Sequence, residues 1–259
     1  QTRALTAGSL AVGGSAQADG AIVLTGAATV AVGGSLAAAN LTAGSAAIAG
    51  TAVVGGDGSL WETGNLAVGY GVKAELEIEN GGRVNSNDAY VSWGIPSDDS
   101  RGTVTGAGAG TGQASMWALQ GSLTAGQTAR GFVFVVDGGH LYVSQDVHIK
   151  DAAIDVAGSL PNGGRAEMDV LGSVFVGGVG SGGASALLVR NGARGGIEGD
   201  LSVGSAGFGL VAVLGYSNPT QLIVADPQAG LCAIGREFDG EVSIDSGGDL
   251  YCRNIELGG

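Results

Sequence analysis

Apolar and polar residues alternate with a period of two along much of this chain, in short runs that end at glycine. In L-E-I-E-N-G-G (76–82), Glu77 separates Leu76 from Ile78. The corresponding places before later turns hold Val133 and Val135, Leu187 and Val189, then Val242 and Ile244. A strand sends successive side chains to opposite faces, so this period predicts strands with one face buried. A second set of runs places Leu66 and Val68 before Gly69, Leu123 and Ala125 before Gly126, Val174 and Val176 before Gly177, and Cys232 and Ile234 before Gly235. No segment sustains an apolar i, i+3, i+4, i+7 pattern, and glycine and β-branched residues dominate, which disfavours helix.

The two kinds of run form a repeat. The turn glycines Gly81, Gly138, Gly192 and Gly247 recur at intervals of about 55 residues. The step from strand-ending to turn glycine is equal in three units, Gly69 to Gly81, Gly126 to Gly138 and Gly235 to Gly247. It is slightly longer from Gly177 to Gly192, and Trp61 and Trp117 repeat at nearly the same interval as the turns. Asn80, Asp137, Asn191 and Ser246 precede the turn glycines. Asn and Asp tolerate left-handed backbone, and glycine adopts it without strain. Each unit therefore reads strand, glycine corner, strand, Asx-Gly corner, strand. Residues 1–56 carry a simpler array, in which SLAVGG, TVAVGG and TAVVGG place glycines at 13, 33 and 55. An interval of about 20 residues suits one solenoid coil. The chain thus divides into aliphatic Gly/Ala-rich coils over 1–56, a candidate assembly segment, and four units of about 55 residues over 57–259. Corner chemistry that recurs so regularly favours an all-β, right-handed parallel β-helix in a single elongated domain over a sandwich or propeller. At its length, a unit fills two or three coils.

Composition narrows the function. Among 259 residues there are 52 glycines, 44% apolar residues and only four prolines, which exclude disorder and collagen. A net charge of −13 repels nucleic acid and anionic membranes, and no apolar stretch is long enough to span a bilayer. Gln1 in place of Met fits a processed form or a fragment.

The string W-E-T-G-N-L-A-V-G-Y-G-V-K-A-E-L-E-I-E-N-G-G-R-V (61–84) resembles the strand repeat of bacterial autotransporter passengers and PEP-CTERM-associated surface proteins. S-M-W-A-L-Q-G-S-L-T-A-G (115–126) is similar to the opening of the same repeat, and the later copies keep the glycines but lose the Trp. The resemblance covers 57–259 well and 1–56 loosely. It implies a right-handed parallel β-helix on a bacterial outer surface and carries no catalytic residues to transfer. The membrane barrel that ends an autotransporter is absent from these 259 residues, which points to a passenger fragment or another export route.

Candidate chemistry is sparse. Gly178, Gly180 and Gly183 satisfy G-x-G-x-x-G, but a phosphate loop must open a helix, and strands flank this one. His140 and His148 read as surface histidines, because the chain has no G-x-S-x-G to complete a triad. Asp98, Asp99, Asp151, Asp155 and Asp169 are the acids that a polysaccharide-cleaving β-helix would use, yet along the sequence they join no aromatic or basic cluster. No G-G-x-G-x-D repeat marks a calcium array, and no cofactor or metal ligand set is expected. Cys232 takes the inward slot of Leu66 and Cys252 that of Val143. One coil length apart, the two form either a disulfide or a pair of buried thiols.

The expected function is a non-enzymatic, extracellular stalk or adhesin of a bacterial cell surface. Its expected partners are a host-surface or glycan ligand and its own copies end to end. A self-assembling fibre is the first alternative and a polysaccharide-active enzyme the second.

Overall fold

The computed structural model describes the backbone from Leu5 to Gly258, apart from residues 8–9, 13–14, 25–28, 33–34, 49–50, 71–72, 94–98, 128, 159–163, 179–183, 217 and 225–229. It describes side chains from Ala46 onward outside those segments and Tyr70. Every regular element among the described residues is a strand, and every strand pairing is parallel. The chain is a β-solenoid.

Three strands make one turn. In the turn that begins at Glu75 they are Glu75–Glu79, Arg83–Ser86 and Ala89–Trp93, which define faces A, B and C. Ser100–Thr105 stacks on the first, Met116–Leu119 on the second and Leu123–Ala125 on the third. The pattern then continues to Asn254–Leu257, giving about seven turns. On face C one inward column runs Leu66, Ala89, Leu123, Val147, Val174, Leu201, Cys232, Ile255. Turn length varies along it, the longest turn running from Ala89 to Leu123 and the shortest from Leu66 to Ala89 and from Cys232 to Ile255. The strands before Glu75 pair at shorter separations, with Thr29 opposite Ser45 and Leu41 opposite Trp61.

The repeat unit read from the sequence is two turns. Its Asx-Gly corner joins faces A and B in every second turn, with positive φ at Asn80, Asp137, Asn191 and Ser246 and at Gly81, Gly138, Gly192 and Gly247. At three of the four corners a second glycine follows the pair and stands close to the turn below, while at the fourth the place is taken by the buried Ala193. A Cβ on Gly82, Gly139 or Gly248 would stand 2.2 Å from the carbonyl oxygen of Val54, Val104 or Val213. In the intervening turns the same corner is a longer connection, such as Gly106–Ser115, which reaches past the tight corner at Gly81 to the turn two layers below. Asp57 accepts hydrogen bonds from the Thr111 hydroxyl at 2.7 Å and the Gly110 N–H at 2.9 Å, and these hold its carboxyl below the usual carboxylate range.

A second polar ladder lines the corner between faces B and C. Ser122 N–H donates to Asp88, Ser173 N–H to Asp146, Asp200 N–H to the Ser173 hydroxyl, and Leu231 N–H to Asp200, all at 2.8–3.0 Å. Acid and serine alternate turn by turn, so carboxylates do not stack directly on one another here.

Inside, the three faces pack their columns into one core. Face A supplies Leu76, Val133, Ile154, Leu187 and Val211, all fully buried. Burial of one such side chain contributes roughly 1.5–3 kcal/mol. Two large residues are matched by glycines. Trp117 fills the space over Gly102, where a Cβ would lie 2.7 Å from its ring, and Leu222 does the same over Gly195. Both glycines occupy inward positions, which complementary packing explains and alternation alone does not.

Cys232 and Cys252 are joined by a disulfide, with Cα atoms 6.0 Å apart. They occupy different columns. Cys232 stacks on Leu201 on face C, and Cys252 on Val224 on face B, in the column of Val143. The bridge therefore crosses the corner between faces B and C and ties the last turn to the one before it, while the residue that stacks on Cys232 is Ile255.

Candidate functional site on the outer surface of face B

The residues that alternate with the core columns of face B stack into outward columns of their own. Met116, His140, Glu167, Arg194 and Gln221 form one, and Ala118, Tyr142, Asp169, Gly196 and Ile223 the other. Main-chain hydrogen bonds fix this register: His140 N–H donates to Ser115 O, Glu167 N–H to Gly139 O, and Arg194 N–H to Ala166 O, at 2.8–3.0 Å. Residues a whole turn apart in sequence thereby become neighbours.

The result is a compact polar group. His140 Nε2 lies 3.0 Å from Asp169 Oδ2, Arg165 Nε donates to Glu167 Oε1 at 2.9 Å, and Arg194 Nη1 stands 3.8 Å from Asp169 Oδ1. One ligand atom each from His140, Glu167 and Asp169 falls within 4.8 Å of the others. The His140 hydrogen bond, helped by Arg194 and Arg165, holds the Asp169 carboxyl below the usual carboxylate range against the opposing effect of burial. Gly196 leaves room beside it, since a Cβ there would stand 2.8 Å from Asp169 Oδ1.

Two hollows flank Tyr142. One, of about 400 Å³, is bordered by Arg83, Asn85, Met116 and Gln120. The other, of about 340 Å³, is bordered by Asp169, Arg194, Gly196 and Ile223. Both are open to solvent. An aromatic ring between guanidinium and carboxylate groups offers the stacking and hydrogen-bonding surface that hydroxyl-rich ligands require.

The remaining candidate residues are dispersed. His148 lies on the outside of face C, stacked on Phe175 at 5.0 Å, and burial with the charge of Lys150 pushes its imidazole below the ordinary range. Asp155 lies on face A in a two-bond pair with Arg190 at 2.8 and 2.6 Å, which raises the guanidinium further. Asp151 occupies the corner between faces C and A with φ of 47°, and Asp99 is exposed. Asp98, Gly180 and Gly183 lie outside the described residues, and Gly178 directly follows a strand and its closing glycine. Along the sequence Asp169 and His140 join no cluster; stacking brings them together with Glu167, Arg165, Arg194 and Tyr142. The length of one turn was the missing signal.

No protein-family model, curated protein or solved structure matches the chain.

Proposed function

We propose that this chain is a structural and adhesive β-solenoid of a bacterial outer surface, non-enzymatic, and that face B is the surface it offers to a host-surface or glycan ligand. The observation that carries the reading is a division of labour. The inward columns are almost wholly aliphatic from turn to turn, whereas the charged groups lie outside, and on face B Tyr142, Arg194 and Asp169 border two open hollows. A stiff rod needs the first and a binding stalk the second. The repeat's resemblance to autotransporter passengers and a disulfide on the last described turn agree with an oxidising, extracellular setting.

Glycan-array binding tests this. The chain should retain a defined subset of glycans, and Tyr142→Ala with Arg194→Gln should abolish retention while the fold is kept. A chain that retains none and releases reducing ends from polysaccharide is an enzyme instead. A second reading, assembly into a fibre, draws on Ile244, Ile255 and Leu257, which continue the inward columns but are 51%, 59% and 74% exposed. Another β layer would cover them, whether a further coil or a second copy. Electron microscopy distinguishes filaments from isolated rods.

A further inference from the structure

We propose that His140, Glu167 and Asp169 bind a divalent transition-metal ion of the zinc class on the outer surface of face B. His140 and Glu167 are directly opposite one another on adjacent strands, and Asp169 lies two positions along, on the same side of the sheet. Stacked strands lie about 4.8 Å apart, so the main chain alone brings three donors to one point. Those donor atoms stand within 4.8 Å of one another, and His140 Nε2 and Asp169 Oδ2 are already 3.0 Å apart. Ligand atoms around a tetrahedral zinc ion are separated by about 3.3 Å, given bonds of about 2.0–2.1 Å. The Glu167 side chain, which has several staggered rotamers, must leave Arg165 and turn toward His140 to close the difference.

Chemistry selects the ion. One imidazole with two carboxylates suits zinc and its first-row neighbours, whereas calcium requires six to eight oxygens. The hollow of about 340 Å³ beside Asp169 leaves the remaining coordination positions open to water or to an oxygen of a bound ligand. Arg165 and Arg194 occupy the carboxylates in the metal-free chain. Their side chains are 40% and 35% exposed, so a cation displaces pairs that, at such exposure, are worth little. The site stands independently of the adhesive reading.

Calorimetric titration of the full chain with zinc, and absorption spectra with cobalt as a coloured substitute, test the assignment. One equivalent should bind per chain, with d–d bands that mark nitrogen and oxygen ligation. His140→Ala and Asp169→Asn should each weaken binding at least about tenfold. Arg194→Gln should tighten it, because a competing cation is gone, and His148→Phe and Asp155→Asn should leave it unchanged. Circular dichroism confirms that each variant is folded. Absence of binding in the folded parent chain overturns the proposal, as does affinity that His140→Ala leaves intact.

Discussion

The turns of this solenoid come in two kinds. In one, faces A and B meet at a tight Asx-Gly corner, as at Asn80–Gly82 and Asp137–Gly139; in the other they meet through a longer connection such as Gly106–Ser115. The strands on either side are alike: Leu76–Ile78 and Val133–Val135 flank Gly102–Val104 in the same two inward columns. The difference teaches that the strands build the core whereas the corners determine which repeats can be recognised. A tight corner admits little variation in residue type, because its middle glycine sits at positive φ and its last residue is glycine or, once, the small buried Ala193. A loop corner admits variation in both type and length.

The largest expected effect is at a tight corner. Gly139→Val directs its side chain at the Val104 carbonyl oxygen, 2.2 Å from the Cβ position, and should cost about 3 kcal/mol in chemical denaturation. If the variant is as stable as the parent, the corner is not the constraint described. The disulfide follows. Replacing Cys232 and Cys252 together by Ser should cost about 2–4 kcal/mol, read most clearly as earlier fraying of the last turn in hydrogen exchange. Uniform loss along the whole rod would show that the last turn has no independent stability.

A subtler difference concerns pH. Burial and Lys150 favour the neutral form of His148, with Asp146 opposing them, so its folded pKa lies below its unfolded one. The unfolded chain then takes up the proton more readily. The associated stability is present above the usual imidazole pKa of about 6.5 and is lost as pH falls through the window below it. His148→Phe keeps the stack on Phe175 and should remove this part of the acid sensitivity; an unchanged pH profile would assign it elsewhere. The smallest effect belongs to a loop corner. A Gly-Ser pair inserted between Gly112 and Gln113, beyond the residues that Asp57 holds, should cost less than about 1 kcal/mol.

The same contrast explains what was legible in the sequence. Asx-Gly corners and the alternation leading into them, such as Leu187 and Val189 before Asn191, span only a short stretch of chain and could be read directly. The intervening turns were hidden for two reasons. Their corners have no fixed length, and Gly102 in place of an aliphatic residue breaks the inward pattern, because Trp117 fills that volume from the next face. The polar group on face B was less legible still. His140, Glu167 and Arg194 acquire a relationship only when their turns are stacked in register. Turn length is not constant along the rod, so no single interval in the sequence reveals that register. The disulfide occupied the inward slots that spacing suggested, but across a corner and not within one column.

The central claim is that each turn is a layer whose strands address the same inward columns as the layers around it. Excising residues 147–173 removes one whole layer and brings Val174 into the place of Val147, beside Leu123. X-ray scattering and thermal unfolding of the shortened chain test this directly. The shortened chain should keep a cooperative β-fold, shorter than the parent by about 4.8 Å, with one layer spacing lost. A shortened chain that fails to fold, or one that keeps the parent's length, would contradict that claim.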